Sequence, residues 1–422
     1  MHREIVEQRR WISERRFLHA LNYCMILPGP EAQQLATYIG WLMHGAIGGV
    51  IAGSLFVIPG FIAMLGLAAV FATWGSVAWV AGLFAGIQSA VVPIVIQAVV
   101  RIGTRTLRSR ALQVIAAVSF IAIALLGVPF PLIILGAGIF GLLVGRRRAA
   151  WFPIGGHGTD DDSDEPASLL ADDDAIDKVT SRRALRAGLI CAVLWLVPVI
   201  ALFVTLGSEH VFAQEGLLFS KSAIVTFGGA YAVLGYIAQQ AVERYGWISA
   251  GDMAVGLGLA ETTPGPLIMV VEFVGFLAAY SHPGNLPPLV AGTIGALITV
   301  WVTFVPCFMF IFLGAPYVER LRHNLPISNA LTAVGAAVAG VVLDLAVWFA
   351  LHTTFDIVND TSLGPITIPV PDISSANFSA IVIALIAAVL VFRSRIGTLK
   401  VLAVCAFLGV MAAGTGFDSV PP

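Results

Sequence analysis

Long apolar stretches alternate with short polar turns along almost the whole chain. Most of these stretches approach the ~20 residues that an α-helix needs to cross the hydrocarbon core of a bilayer. The pattern therefore predicts an all-α, polytopic membrane protein. The predicted transmembrane segments are 17–43, 45–72, 78–100, 111–126, 129–145, 187–206, 217–237, 252–280, 289–314, 328–352, 374–392 and 397–414. Segments 111–126 and 129–145 are short for full crossings, so they either span the membrane or form a re-entrant hairpin.

Composition and charge narrow the class of protein further. Of the 422 residues, 58% are hydrophobic and 11% are charged, whereas about 25% are charged in a typical soluble domain. The net charge of -2 provides no basic footprint for nucleic acid. The sequence shows no His-rich metal cluster, nucleophile motif or phosphate loop, so we expect neither enzymatic activity nor a cofactor or metal.

One polar stretch, residues 149–186, interrupts the apolar pattern. It contains two runs of aspartate, at 160–162 and 172–174, and arginines flank it. Such a composition is typical of a disordered cytoplasmic linker. We therefore divide the chain into an N-terminal half, 1–148, the linker, and a C-terminal half, 187–422.

The two halves are an internal repeat. A shift of 236 positions aligns Trp11-Ile12-Ser13 with Trp247-Ile248-Ser249, and Pro28-Gly29-Pro30 with Pro264-Gly265-Pro266. A shift of 247 then aligns Pro59 with Pro306, so the second copy contains 11 extra residues, which we place near the turn-rich stretch 281–288. Repeated halves in a helical membrane protein predict a secondary transporter.

Loop charges predict that the two halves are inverted. By the positive-inside rule, the arginines after segment 78–100 face the cytoplasm, and the matching acidic loop after segment 328–352 faces outward. Segment 187–206 has no partner in the first half and supplies the odd crossing that inverts the second. Segment 217–237 also has no counterpart in the first half, so we expect the natural reading frame to begin upstream of Met1. The loop residues concerned are Arg101, Arg105, Arg108 and Arg110 on one side and Asp356, Asp360 and Asp372 on the other.

The two Pro-Gly-Pro tripeptides predict broken helices, because proline and glycine cannot continue an α-helix without loss of backbone hydrogen bonds. At membrane depth such backbone is tolerated only where protein or a watery cavity satisfies it. A packing kink is one explanation. Two copies at matching repeat positions favour a binding site, in which half-helix N-termini direct N–H groups and partial positive charge at an anion.

The sequences around these breaks resemble the chromate ion transporter family. Leu27-Pro28-Gly29-Pro30 with Gln34 is similar to its first half, and Phe227-Gly228-Gly229 with Glu261-Thr262-Thr263-Pro264-Gly265-Pro266 is similar to its second. The resemblance covers nearly the whole chain except the linker, although the family's opening Phe-Gly-Gly helix is absent from the first half. It implies a bacterial inner-membrane protein that exports chromate, confers chromate resistance and handles sulfate.

The breaks and the resemblance together give our candidate site. The expected substrate is chromate or a sulfate-like oxyanion; another small anion, or an anion channel, is the alternative. The partners we expect are this anion, the lipid bilayer and a second copy in a homodimer. The candidate substrate-binding residues are Pro28, Gly29, Pro30, Gln34, Phe227, Gly228, Gly229, Thr262, Thr263, Pro264, Gly265 and Pro266.

Carboxyl groups within the predicted segments are candidates for coupling, because a charged side chain in the bilayer is costly. Glu31 follows the first break, where it would repel a dianion, and Glu261 precedes the second break. We expect Glu261 to bind a proton together with the anion, and we rank Glu272 and Asp344 lower, as groups paired with polar neighbours or facing a cavity rim. The hydroxyls of Thr262 and Thr263 either bind the oxyanion or cap the following half-helix.

Overall fold

The computed structural model describes residues 1–145, 147–148, 151–152, 181–227, 229–314, 325–364, 366–394 and 396–414. Most of the predicted linker 149–186 lies outside these described residues, as does Gly228.

The described chain is built almost wholly of α-helices. Five of them are long and apolar enough to cross a membrane, and several shorter helices are also apolar. The predicted all-α polytopic membrane protein is therefore confirmed. The helices are α1 (Glu14–Ile26), α2 (Glu31–Trp74), α3 (Ala78–Thr106), α4 (Arg110–Ala124), α5 (Phe130–Gly145), α6 (Ser181–Leu206), α7 (Val211–Val225), α8 (Ala230–Ala238), α9 (Ala250–Thr262), α10 (Val270–Ser281), α11 (Pro288–Gly314), α12 (Leu325–Thr354), α13 (Phe378–Phe392) and α14 (Thr398–Gly414).

The predicted segment 217–237 is not one continuous helix, and this prediction was wrong. Helix α7 ends at Val225 and α8 begins at Ala230. Between them Gly229 adopts φ 105°, which is incompatible with a right-handed helix and which glycine adopts without steric cost. The chain therefore contains a third interruption besides the two Pro-Gly-Pro breaks.

Helix α2 folds back on itself at His44 and Gly45, where the backbone leaves helical geometry. The two arms pack so closely that a Cβ built on Gly53 would lie 2.3 Å from Thr37 Oγ1. In the second half the corresponding hairpin is formed by α10 and α11, which are joined by residues 282–287. The extra residues of the second copy thus lie at a hairpin turn, as predicted, because an exposed loop accepts an insertion easily.

The two copies of the repeat also share unusual local geometry. Single π-helical turns occupy Arg3–Gln8 and Gln239–Arg244, which are 236 positions apart. They are followed at equivalent positions by residues with positive φ, Arg10 at 50° and Gly246 at 61°. Ser13 and Ser249 then cap α1 and α9 with their side chains. The repeat identified in the sequence is therefore a repeat of backbone structure as well.

A β-hairpin, which the sequence analysis did not predict, follows α12. Its strands, Val358–Leu363 and Ile366–Pro371, pair antiparallel with Val358 opposite Pro371. The Thr367 N–H donates to the Leu125 carbonyl at 2.9 Å, so the hairpin lies against the turn between α4 and α5. The other end of α5, at Gly145, packs against Asn329 near the start of α12. Helices α4 and α5 therefore run between the two ends of α12, which favours spanning over a re-entrant hairpin.

Candidate functional site

At the first break, a buried glutamine side chain forms a hydrogen bond with the backbone of the break. Helix α1 ends at Ile26 and α2 begins at Glu31, while Gly29 between them has φ 128°. Gln34, on the first turn of α2, donates from Nε2 to the Pro28 carbonyl at 2.7 Å. Its side chain is fully buried, and its Oε1 has no hydrogen-bond partner among the described residues. Gln34 therefore satisfies one backbone group of the break and keeps an acceptor oxygen there.

The second break follows α9 and has the same backbone form. Gly265 has φ 140°, close to its repeat equivalent. The hydroxyls of Thr262 and Thr263 donate backward, to the carbonyls of Leu259 and Ala260 at 2.7 and 3.2 Å. The expectation that they cap the following half-helix was wrong, because the 3-10 turn that starts at Leu267 has no side-chain cap. Their hydrogens complete the end of α9 instead.

The third break, between α7 and α8, joins the other two. The Gly29 N–H donates to the Thr226 carbonyl at 2.8 Å. On the other side of the break, the Tyr231 hydroxyl donates to the Glu261 carboxyl group. The third break thus contacts the first Pro-Gly-Pro through its backbone. Through a side chain it also contacts the end of α9, the helix that leads into the second Pro-Gly-Pro.

Each Pro-Gly-Pro break also packs against the opposite half of the chain at equivalent positions. A Cβ built on Gly29 would lie 2.7 Å from Cys307 Sγ, and one built on Gly265 would lie 3.4 Å from Gly60 Cα. Gly29 and Gly265 are related by the 236 shift, and Gly60 and Cys307 by the 247 shift. The two contacts are therefore repeat mates.

The breaks differ in accessibility and charge. Gly29 and Pro30 are buried, whereas Pro264 and Gly265 are exposed. Glu31 is half-buried at the start of α2, where the helix dipole stabilises a carboxylate. Electrostatic interactions link Tyr231 to both Glu261 and Arg101. Arg101, an exposed residue of α3, supplies the positive charge in this interaction.

The structure gathers most of the predicted site residues but separates others from them. Glu272 is fully buried on α10 and its carboxyl oxygens have no hydrogen-bond partner among the described residues, so the expectation of polar pairing or a cavity rim was wrong. Asp344 interacts electrostatically with Glu243. The residues at the junction are Pro28, Gly29, Pro30, Glu31, Gln34, Phe227, Gly229, Glu261, Thr262, Thr263, Pro264, Gly265 and Pro266.

Sequence reasoning missed Thr226, Tyr231 and Arg101. Tyr231 carried a usable signal, since it is a hydroxyl-bearing aromatic residue two positions after Gly229 in the family-like string. Arg101 carried a misleading one, because it is the first of four arginines that the positive-inside rule assigns to a loop, whereas α3 continues through it to Thr106. Thr226 contributes a backbone carbonyl, which no side-chain pattern could reveal.

Broken helices that meet at one junction in a helical membrane protein are typical of secondary transporters. The family model for the chromate transporter matches residues 1–142 and 213–410. The chain belongs to this family.

Individual relatives agree with the family model. A chromate transport protein of Pseudomonas aeruginosa is 33% identical over 356 residues, which cover 82% of this chain and 75% of that protein. A chromate transport protein of Cupriavidus metallidurans is 24% identical over 357 residues, with coverage of 85% and 78%. An uncharacterized transporter of Methanocaldococcus jannaschii is 23% identical over 354 residues, with coverage of 84% and 79%. No solved structure matches the chain.

Proposed function

We propose that this chain exports chromate by alternating access and binds the oxyanion where the three breaks meet. The observation that carries the proposal is the convergence of the breaks, through the Gly29 to Thr226 hydrogen bond on one side and the Tyr231 to Glu261 hydrogen bond on the other. Family membership supports chromate as the substrate, and sulfate, which has the same shape and charge, is the expected competitor or exchange partner.

Backbone groups are the main ligands in this proposal. The first N–H groups of a helix have no intrahelical acceptor and point toward the helix N-terminus, where the dipole adds a partial charge of ~0.5. Helix α2 begins at Glu31 and the 3-10 turn after the second break begins at Leu267. Arg101 adds a full positive charge near the junction. These backbone N–H groups and the arginine suit a dianion that the protein must bind and then release.

Glu261 is the coupling group in this proposal. Its carboxylate accepts the Tyr231 hydrogen bond, and a bond to a charged acceptor is stronger than one to a neutral acceptor. Protonation of Glu261 weakens this contact and loosens α8 from α9. The anion and the proton then favour the same state, since each reduces the electrostatic cost of the other. Glu31 repels the dianion at the first break and sets the discrimination between substrates.

The two halves span a bacterial inner membrane in opposite orientations in this proposal, with Arg101 and the linker toward the cytoplasm. The protein acts as a transporter, not an enzyme, and forms a homodimer. The matched contacts of Gly29 with Cys307 and of Gly265 with Gly60 support two repeats arranged about a pseudo-twofold axis.

Counterflow in proteoliposomes tests the proposed function. Vesicles loaded with unlabelled chromate are expected to accumulate labelled chromate faster than empty vesicles, with saturation as its concentration rises. Sulfate and molybdate inside the vesicles measure substrate choice. Equal uptake by loaded and empty vesicles would contradict a carrier, and flux that never saturates would favour the anion channel.

A further inference from the structure

A second polar cluster lies in the core of the C-terminal half, among α7, α10 and α11. Glu215, Glu272 and Thr299 are fully buried and Thr303 is 2% exposed. Both oxygens of each carboxyl group and both threonine hydroxyls lack a hydrogen-bond partner among the described residues, which makes six oxygen atoms. A buried carboxylate without a partner costs several kcal/mol. The cluster therefore holds either protons or a cation.

The side chains converge on the crossing of α10 and α11, where glycines let the helices approach closely. A Cβ built on Gly275 would lie 2.1 Å from Thr299 Oγ1, and one built on Gly295 would lie 3.0 Å from Glu215 Oε1 and 2.6 Å from the Gly275 carbonyl oxygen. Glu215 and Thr299 thus reach the same crossing from different helices.

The other two members lie one helical turn away. Glu272 precedes Gly275 by three positions on α10, and Thr303 follows Thr299 by four on α11. Residues at these spacings share a face of a helix. All four polar side chains therefore belong to one region of the core.

The repeat shows that the fold itself does not require this polarity. The first-half equivalents of Glu272, Thr299 and Thr303 are Ala36, Ala52 and Phe56, by shifts of 236 and 247 positions. The matching hairpin of the first half thus packs with apolar side chains at these positions. Polar groups that are costly to bury and absent from the repeat mate point to a function specific to the second half.

The chemistry of the cluster selects a hard cation. Within the part of the chain that the structure describes, no salt bridge joins Glu215 or Glu272 to a basic side chain. The donors are carboxylate and hydroxyl oxygens without nitrogen or sulfur, which suits hard cations. Protons would also neutralise the two carboxyl groups, and the response to sodium at fixed pH distinguishes a bound cation from bound protons.

We propose that Glu215, Glu272, Thr299 and Thr303 bind a sodium ion. The proposal does not depend on chromate as the substrate or on Glu261 as the coupling group. Sodium is a coupling ion in secondary transporters, and in this proposal its binding here couples the sodium gradient to the movement of the substrate.

Sodium-dependent thermal unfolding of the purified full chain tests this site without a transport assay. The melting temperature is measured against NaCl, with KCl and choline chloride at equal ionic strength and fixed pH as references. We expect a saturable, sodium-specific rise, because a ligand that binds only the folded state stabilises it. The apparent dissociation constant for sodium is expected to increase about tenfold or more in Glu272→Gln and in Thr299→Val. Thr299→Val preserves the shape of the side chain, so it remains informative if Glu272→Gln does not fold.

Glu209→Gln is the matched control, because Glu209 is an exposed glutamate six positions before Glu215, and it is expected to respond like the parent chain. An equal effect of sodium, potassium and choline on the parent chain would overturn the proposal, as would an unchanged sodium response in both cluster variants. A rise in melting temperature on acidification alone, with no response to sodium, would overturn it in favour of proton binding. Loss of chromate counterflow with sodium binding intact would contradict only the proposed function.

Discussion

The backbone N–H of Gly29 donates to the carbonyl oxygen of Thr226 at 2.8 Å. This bond joins the first Pro-Gly-Pro break to the interruption between α7 and α8, in the other half of the chain. It satisfies two backbone groups that the broken helices would otherwise leave unpaired, which at membrane depth is the condition for irregular backbone to be stable. The site is therefore held together by contacts between the halves.

Alanine at Gly29 or Gly265 is expected to reduce transport about tenfold or more. The left-handed region costs a non-glycine residue ~1–2 kcal/mol, and at position 29 the new Cβ would also lie 2.7 Å from Cys307 Sγ. Initial rates of chromate counterflow measure the effect. Gly66→Ala is the control, since Gly66 is helical and a Cβ there meets nothing within 4 Å. Normal rates in both break variants would show that the breaks do not form the site.

Glu261→Gln is expected to retain chromate exchange but to lose its dependence on pH. The amide keeps a hydrogen-bond acceptor for Tyr231 but cannot bind a proton at neutral pH. Counterflow rates measured over a series of pH values on both sides of neutrality report the change. A variant whose pH profile matches that of the parent chain would exclude coupling through Glu261.

Tyr231→Phe removes the hydrogen bond to Glu261 while the ring is kept. A bond to a charged acceptor contributes ~1.5–3 kcal/mol, so we expect a shifted pH profile and a slower exchange rate. Tyr280→Phe is a suitable control, because the Tyr280 ring stacks on Phe276 away from the breaks. If both variants change transport equally, the hydroxyl of Tyr231 has no special role.

Arg101→Gln is expected to weaken chromate binding, with a rise of about tenfold in the KM for exchange, which corresponds to ~1.4 kcal/mol. The reason is that its charge acts on Tyr231 at the junction. Arg105→Gln, on the next turn of α3, removes an exposed arginine and serves as the control. The dependence of the counterflow rate on chromate concentration gives the KM of the parent chain and of each variant. An unchanged KM in Arg101→Gln would remove this residue from the site.

Gly53→Ala is expected to destabilise the folded protein. The added Cβ would lie 2.3 Å from Thr37 Oγ1 and 2.5 Å from the Phe308 ring, so the two arms of α2 must separate. Overpacking of this kind typically costs ~1–3 kcal/mol. Thermal unfolding in detergent is expected to show a lower melting temperature than in Gly66→Ala. Equal melting temperatures would mean that the arms tolerate a wider spacing.

Local features of the sequence predicted much of this molecule. Apolar runs near the length of a membrane crossing gave the helices, since the bilayer requires such runs. Proline and glycine gave the two Pro-Gly-Pro breaks because they act on the backbone wherever they occur. The repeat placed equivalent residues such as Gly29 and Gly265 in register, and the structure gives both a positive φ.

Only the tertiary structure decided what these local features contact. The interruption before Ala230, the partner of Gly29 at Thr226 and the pairing of Tyr231 with Glu261 depend on helices distant in sequence. The same holds for Glu215 and Thr299 at the crossing of α10 and α11. A sequence pattern records which side chain is polar, but burial and partnership arise from packing between segments. The Pro-Gly-Pro pair was therefore visible in the sequence, whereas its junction with the third break required the fold.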